Sequence, residues 1–299
     1  AGGAAARPAL TRGSLPAARL HAALLATRVL ARQYEFRDGD RRAPLLGLAV
    51  GLFPGLLRLG GALLAAAWPD PAVAAAAPPP PPSSAPAADA FAGELLKLIL
   101  KCLWSALYMG VPPPWMEVPG DAAAGRGSSG GSAASAGAPG SAGEAPRLPP
   151  TPLDPATPAA AWLSLVHTVL VRPVPEPQPP ALDDRPEWPW WKAKKWALHL
   201  ATRLAGRYGD PKKTRPGSPD RAFAAAWAGS GVPGAFLDAV LALLARPSHG
   251  AYVTPRATNL ALQYAAGAVP SPTGWRALKP HVPALLAAAG ESDGEEDTP

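Results

Sequence analysis

The sequence predicts an all-α protein, and three observations lead to that prediction. Apolar residues recur at three- and four-residue spacing in every segment that looks ordered, as on one face of an α-helix. No stretch alternates strictly between apolar and polar residues, so no β-sheet is expected. Of the 299 residues 48% are hydrophobic, enough for a sizeable core, but 41 are proline and 30 are glycine. Some segments are therefore expected to stay unfolded.

The helical segments follow one another along the chain. They are predicted at 14–34, 45–67, 91–109, 159–171, 190–208, 221–245, 255–268 and 275–289. Pro233 marks a candidate break in the sixth segment, and Thr254 with Pro255 fits the N-cap and first residue of the seventh. The last two predicted helices begin twenty residues apart, so such a pair takes about forty, as in HEAT-type repeats. The sequence therefore predicts a HEAT-repeat solenoid, a stack of antiparallel helix pairs.

Two insertions and the tail differ from this pattern. Residues 69–89 are rich in proline and alanine, and residues 119–158 are rich in glycine, serine, alanine and proline. Ordering them would cost chain entropy without burying apolar surface, so both are expected to be disordered insertions within one incomplete array over 1–299. The tail at 290–299 has five acids in its last nine residues and is also expected to be disordered.

Catalytic and metal-binding motifs are weak in this chain. "GRGSSG" (125–130) and "GSSGG" (127–131) formally match a dinucleotide-binding and a nucleophile-elbow pattern, but no strand or helix flanks them. The five histidines are scattered, and the lone Cys102 excludes an internal disulfide or a multi-cysteine metal site. Asp183 and Asp184 are better explained as a solvated acidic loop than as an acid/base pair. We therefore expect no enzyme, no cofactor and no metal.

One apolar stretch, at 43–68, could be mistaken for a membrane span. Pro54 interrupts it, and Arg58 ends its clean apolar run after 13 residues, Leu45 to Leu57. Runs of this length are more often buried helices than spans, so no membrane insertion is expected.

The segment "DDRPEWPWWKAKKWALHL" (183–200) contains four of the ten tryptophans and three lysines, a mixture that suits either a nucleic-acid surface or a structural helix. On a helical projection one apolar stripe is formed by Trp190, Ala193, Ala197, Leu200, Ala201, Leu204 and Tyr208. The opposite side holds Lys192, Lys195, His199, Thr202 and Arg203, and Trp191 and Trp196 flank the stripe. A nucleic-acid platform would place indoles beside basic residues on an open face. A packed helix with a basic solvent face is favoured, while nucleic-acid contact and a protein-binding ridge remain alternatives.

The same segment, extended to "DDRPEWPWWKAKKWALHLATRLAGRYGDP" (183–211), resembles the importin seven and importin eight branch of the importin-beta (karyopherin) superfamily. Four further segments resemble that branch in the same order: "YEFRDGDRRAPL" (34–45), "LLKLILKCLWSALYMGVP" (95–112), "YVTPRATNLALQY" (252–264) and "GWRALKPHV" (274–282). The residues that carry the resemblance are Trp190, Trp191, Lys192, Lys195, Trp196, Tyr208, Pro255, Arg256, Trp275 and Pro280.

This resemblance implies an interior fragment of a nuclear import receptor with a right-handed superhelix of antiparallel helix pairs. Such a receptor binds protein cargo in the cytosol, including basic proteins such as histones. It passes the nuclear pore through Phe-Gly-repeat nucleoporins, releases cargo when the GTP form of the small GTPase Ran binds, and shuttles between cytoplasm and nucleus. The family's amino-terminal Ran-binding repeats are expected before residue 1.

Three acidic residues, Asp183, Asp184 and Glu187, are the candidates for attracting basic cargo. Direct nucleic-acid binding is not expected of this family. Two other functions stay open: a HEAT-type scaffold that binds proteins without transport, and a basic nucleic-acid-binding protein, whose affinity would fall steeply with salt.

Overall fold

The computed structural model describes residues 15–68, 90–108, 110–116, 157–174 and 188–244, together with Tyr264, Trp275 and residues 279–283. These residues contain α-helices and short 3-10 turns and no β-strand. The α-helices are α1 (Leu15–Glu35), α2 (Ala43–Gly51), α3 (Phe53–Ala67), α4 (Ala90–Ala106), α5 (Pro158–Val171), α6 (Pro189–Tyr208), α7 (Pro219–Gly229) and α8 (Val232–Leu244). The 3-10 turns are Gly39–Arg42, Pro113–Met116, Pro211–Lys213 and Lys279–His281. The all-α prediction is confirmed.

Proline and hydroxyl side chains set where several of these helices begin. Proline lies in the first turn of α2, α3, α5, α6 and α7, where its missing N–H is not needed. The Thr157 hydroxyl accepts a hydrogen bond from the Ala160 amide at 3.2 Å, and Ser218 caps α7 in the same way through the Arg221 amide at 3.2 Å. These caps satisfy amides that have no partner within the helix.

Two predicted helices are divided in the structure. The segment predicted at 45–67 bends by 46° between α2 and α3, around Leu52. The segment predicted at 221–245 ends at Gly229 and resumes at Val232, with a bend of 64°. The break therefore precedes Pro233, which lies in the first turn of α8 because a proline is tolerated there and not in a helix interior.

Helices α1, α4 and α6 form one layer and run in the same direction. His21 contacts Phe91 near the start of α1 and α4, with ring centroids 5.7 Å apart. Gly93 packs against Trp190 where α4 and α6 begin, and just past the end of α4 the Leu107 carbonyl accepts a hydrogen bond from Arg207 at 2.7 Å. We refer to this arrangement as the α1–α4–α6 layer.

Helices α3, α5 and α8 form the second layer, the α3–α5–α8 layer. Gly60 faces Leu165 midway along α3 and α5, and the Trp68 indole N–H donates to the Pro173 carbonyl at 2.5 Å beyond their ends. The two helices are therefore parallel to each other.

Helices of opposite layers run in opposite directions. Trp68, at the end of α3, meets Trp190 at the start of α6, with ring centroids 5.0 Å apart. Lys194, in the first half of α6, donates to the carbonyl of Leu170 near the end of α5 at 2.8 Å. Helix α6 is therefore antiparallel to α3 and to α5, and the chain is an all-α HEAT-repeat solenoid, in which helices stack on their neighbours in two layers.

The core between the layers is continuous and rich in aromatic rings. Phe53, Trp115 and Trp162 make successive edge-to-face contacts with centroid separations of 6.1 and 5.5 Å, and the Trp115 indole donates to the Ala49 carbonyl at 3.1 Å. By contrast, α1 exposes several large apolar side chains, namely Leu15, Leu25, Val29 and Leu30. One side of α1 is therefore not covered by the described residues.

No single helix among the described residues combines the length and apolarity needed to cross a membrane. Two bent pairs reach that length and composition together, Asp40–Gly51 with Phe53–Ala67 and Pro219–Gly229 with Val232–Leu243. In the first pair the large apolar side chains Phe53, Leu63 and Leu64 are buried in the core. Leu46, Val50 and Leu52 of the same pair are exposed.

Candidate protein-binding surfaces

The apolar stripe predicted on α6 is a core face. All seven of its members have 0% of their surface exposed: Trp190, Ala193, Ala197, Leu200, Ala201, Leu204 and Tyr208. The small residues of this stripe allow α4 to approach closely, so α4 and α6 form an extensive contact. At its tightest point a Cβ added to Gly93 would lie 3.0 Å from Cβ of Pro189 and 3.0 Å from Cδ2 of Trp190. The favoured interpretation of the tryptophan-rich segment as a packed helix is confirmed.

Two residues of this segment are more buried than the sequence analysis expected. Trp191, predicted to flank the stripe, is 7% exposed, and Lys194 is 2% exposed. The Lys194 ammonium donates to the Leu170 carbonyl and lies 5.7 Å from the ring centroid of Trp68, an arrangement that stabilises a cation through the ring's negative face. Lys194 follows Trp190 by four residues, so its position on the buried side of the helix could have been read from the helical period.

The side of α6 that carries Trp196, His199 and Arg203 is only partly exposed, because Trp104 of α4 and Tyr108, just after α4, pack against it. We define the basic-aromatic ridge as Lys101, Trp104, Tyr108, Trp196, His199 and Arg203, all of which are half-buried. This corrects the expectation of a fully solvated basic face for Lys192, Lys195, His199, Thr202 and Arg203, which are also half-buried. The sequence of α6 alone could not show which helix would cover that side.

Cations lie over ring faces throughout the ridge. Lys101 Nζ is 5.1 Å from the ring centroid of Trp196. Arg203 Cζ is 4.8 Å from the centroid of Trp104 and 4.2 Å from that of Tyr108. The rings of Trp104 and Trp196 meet edge to face at 6.0 Å. Aromatic and cationic groups from α4 and α6 therefore hold one another in fixed positions.

The ridge belongs to a strongly basic layer. Helices α1, α4 and α6 together carry ten lysine and arginine residues and two glutamates, whereas the other five α-helices carry two arginines and two aspartates. Both glutamates are engaged: Glu35 is buried against Arg28 and Ser105, and Glu94 pairs with Lys97. The two layers therefore differ in charge as well as in position.

Repulsion within this layer is visible at Lys101. Partial burial lowers the pKa of Lys101, and the neighbouring cations Lys97, Arg28 and Lys192 lower it further, while Glu94 acts in the opposite direction. A negatively charged group placed beside Lys101 would reverse this effect.

A polar network fixes the end of α6. The Tyr208 hydroxyl donates to the Asp220 carboxylate at 3.1 Å and accepts a hydrogen bond from the Val111 amide at 3.0 Å. Arg207 donates to the other Asp220 oxygen at 2.8 Å. Burial raises the pKa of Tyr208, despite the nearby Arg207 charge. This network ties α6 to the start of α7 and to the turn after α4, which gives Tyr208 a structural role.

An apolar pocket lies between α5 and α8, on the other layer. It has a volume of about 220 Å³ and is lined by Ala160, Leu163, Ser164, His167, Val232, Ala235 and Phe236. An apolar cavity of about 150 Å³ is enough to hold a benzene molecule, so a phenyl ring fits this pocket. The pocket could not be predicted from the sequence, because its walls come from helices about seventy residues apart in the chain. Only the stacking of repeats brings these helices together.

Known proteins similar in sequence to this chain carry importin names. Over 269 residues, 90% of this chain, it is 28% identical to a protein named importin beta-like SAD2 homolog from Arabidopsis thaliana. It is also 34% identical over 126 residues, 40% of this chain, to importin-8 of Homo sapiens and 33% identical over 126 residues to importin-8 of Mus musculus. These relatives all carry importin names, which supports a relationship of the chain to the importin-beta superfamily.

The chain covers only part of the length of these relatives. It spans 20% of the length of the Arabidopsis protein and 12% of the length of each of the two mammalian importin-8 proteins. No family model matches the chain, and no solved structure matches it. The relatives carry the names of importins and not of enzymes.

The residues that suggested the importin family fall into different environments. Trp190, Trp191 and Tyr208 are in the core, and Lys192, Lys195 and Trp196 are half-buried on the other side of α6. Trp275 is 45% exposed, and Pro280 is exposed in the turn Lys279–His281. The predicted cargo-attracting residues and two signature residues lie outside the described residues: Asp183, Asp184, Glu187, Pro255 and Arg256.

Several other sequence predictions also fall outside the described residues. These are the Thr254 cap, both glycine-rich motifs, and the disorder expected at 69–89, 290–299 and almost all of 119–158. Within the described ranges, no group of three or more His, Cys, Asp or Glu side chains is placed to hold a metal ion. Cys102 is buried, and burial raises the pKa of its thiol to about 12.

Proposed function

We propose that this chain is part of a nuclear import receptor. The observation that carries the proposal is the 28% identity to an importin beta-like protein along 90% of the chain. In this proposal the receptor binds basic protein cargo in the cytosol, carries it through the nuclear pore and releases it when the GTP form of Ran binds. The main Ran site lies in repeats outside this chain, since the chain spans 20% of the length of that relative.

The two-layer architecture is compatible with such a cycle. Each helix pair contacts mainly its neighbours, so small rotations between repeats add up along a long solenoid. A partner that favours one curvature can then loosen many weak cargo contacts together. The exposed apolar residues Leu25, Val29 and Leu30 of α1 would be covered by a further helix of the same array.

The test of the proposal uses the full-length gene product. Its binding to Ran loaded with GTP is compared with its binding to Ran loaded with GDP, in a pull-down with purified proteins. We expect clear preference for the GTP form. Equal binding of both forms would favour a protein-binding scaffold without transport.

We assign the α5–α8 pocket to phenylalanine side chains of Phe-Gly-repeat nucleoporins. The pocket offers an apolar volume large enough for a phenyl ring, and it lies on the layer whose helices carry little charge. Weak binding of this kind suits repeated, rapidly exchanging contacts during passage through the pore.

Filling the pocket tests this assignment. Ala235 lines the pocket, so Ala235→Trp should weaken binding of a Phe-Gly-repeat peptide, measured by nuclear magnetic resonance titration or calorimetry. Ala22→Trp, at an exposed position of α1, is the matched control and should leave binding unchanged. If both variants bind the peptide as the unmodified chain does, the pocket is not the site.

Basic cargo is assigned to the acidic residues predicted from the sequence, Asp183, Asp184 and Glu187. The described part of the α1–α4–α6 layer is itself basic, so it would repel such cargo. Reversing the three charges to lysine should weaken binding of a histone tail peptide. An unchanged affinity would remove these residues from the cargo site.

A further inference from the structure

We propose that the basic-aromatic ridge is a docking surface for an acidic protein segment, whose carboxylates pair with the cations held between α4 and α6. This surface lies beyond the proposed import function, since it takes a partner of opposite charge to basic cargo. Lys101 and Arg203 are the central cations of the surface, and Lys195 lies on the same side of α6.

The first argument is the charge that the layer leaves unbalanced. Helices α1, α4 and α6 carry ten basic residues and two glutamates; both glutamates already contact basic side chains, and Arg207 pairs with Asp220 of α7. Lys101 has a tryptophan ring beside its ammonium and forms no salt bridge among the described residues, although the more distant Glu94 favours its charged form. Partial burial and, after it, the neighbouring cations lower the pKa of Lys101 and so disfavour its charged form. An acidic segment beside Lys101 would relieve this repulsion and gain attraction to several cations together.

The second argument is that the cations are already fixed in position. Arg203 is held over Trp104 and Tyr108, and Lys101 is held over Trp196. A mobile lysine or arginine side chain loses rotamer freedom when it binds a partner, and this entropy cost weakens most surface ion pairs. A preorganised row of cations reduces that cost.

The third argument concerns the end of the ridge. Phe36 is 70% exposed, and its ring lies 6.1 Å from that of Tyr108. An exposed aromatic ring beside a row of cations suits a peptide in which an apolar side chain accompanies the acidic residues.

The ring geometry favours a protein segment over a nucleic acid. Single-stranded nucleic acids bind by stacking bases on open aromatic faces. Here a face of Trp104 and a face of Tyr108 are covered by Arg203, and a face of Trp196 is covered by Lys101. The rings also meet one another edge to face. Carboxylates can reach the cations in this arrangement, whereas bases would have to displace them.

Fluorescence anisotropy with a labelled oligoglutamate peptide tests the proposal on the full chain. We expect Lys101→Glu to weaken binding about tenfold, because it replaces an attraction with a repulsion. The control is Arg58→Glu, the same charge reversal at an exposed position of α3 on the other layer, which should change the affinity less than about twofold. Lys195→Glu serves as a second variant should Lys101→Glu fail to fold, as judged by circular dichroism and thermal unfolding.

Three outcomes would overturn the proposal. The first is an equal loss of peptide binding in Arg58→Glu, which would indicate attraction to net charge alone. The second is unchanged binding in folded Lys101→Glu and Lys195→Glu. The third is tighter binding of an oligouridylate of the same length than of the peptide, which would make the ridge a nucleic-acid surface. None of these outcomes bears on Ran binding, so the import proposal is tested separately.

Discussion

Replacing Trp190 by alanine tests whether the tryptophan-rich helix acts as core. Trp190 has 0% of its surface exposed, meets Trp68 edge to face at 5.0 Å and packs against Gly93 of α4. A buried aromatic side chain removes about 150–250 Å² from water, which corresponds to about 4–6 kcal/mol at ~25 cal/mol per Å². The edge-to-face contact adds about 0.5–1.5 kcal/mol. Partial collapse of the cavity left by the indole offsets some of this cost. We therefore expect Trp190→Ala to lower the free energy of unfolding by about 3–5 kcal/mol.

The assay is urea unfolding followed by far-ultraviolet circular dichroism, with the same substitution at two further tryptophans. Trp196→Ala removes a half-buried ring that contacts Trp104 at 6.0 Å, and should cost about 1–2 kcal/mol. Trp275→Ala, at a residue that is 45% exposed, should cost less than about 1 kcal/mol. The reasoning fails if Trp190→Ala costs less than Trp196→Ala, or if it abolishes a nucleic-acid affinity while leaving stability unchanged.

Two further predictions concern the same helices. Gly93→Ala should lower the free energy of unfolding by about 1–3 kcal/mol, because the new methyl would lie 3.1 Å from the Trp190 backbone nitrogen. Gly61→Ala is the control: nothing lies within 4 Å of its new methyl, so it should raise the free energy of unfolding by about 0.5–1 kcal/mol. Urea midpoints measure both changes, and a loss of stability in both variants would contradict the packing argument. Stability should fall as pH rises above 9.0, because the unfolded chain then loses the Cys102 proton while the folded chain, with a thiol pKa of about 12, keeps it. In Cys102→Ala the free energy of unfolding should therefore fall less steeply above pH 9.0, by about 1.4 kcal/mol per pH unit, than in the unmodified chain. Urea unfolding at several pH values measures this, and an identical pH dependence in both chains would contradict the prediction.

Much of the fold could be predicted from local pattern alone. The helices predicted at 14–34, 159–171 and 190–208 agree with α1, α5 and α6 to within one residue at each end. The length of the repeat predicted stacking of helix pairs. The bend at Leu52 was missed, since an unbroken apolar run carries no periodic signal that a helix changes direction there.

The candidate surfaces were harder to predict, because they depend on which helices become neighbours. The helical projection of α6 correctly placed Trp190 and Arg203 on different sides of the helix. It could not show that Arg203 packs against Trp104, because Trp104 belongs to α4. The α5–α8 pocket likewise needs Leu163 and Phe236 from different repeats. A sequence pattern specifies the faces of one helix, whereas a surface in a solenoid is shared by several.

The charge difference between the two layers constrains what a chain of this sequence can contact. Folding alone does not require it, since the core residues of α4 and α6 are buried on the side away from Lys101 and Arg203. A basic layer and a nearly neutral layer with an apolar pocket present two chemically distinct faces along the same repeats. Partners that bind the pocket through phenyl rings and partners that bind the ridge through carboxylates therefore need not compete. We therefore expect a Phe-Gly peptide and an oligoglutamate peptide to bind at the same time, each with its affinity unchanged by the other. Mutual exclusion of the two peptides would show that the layers are coupled through α5 and α6.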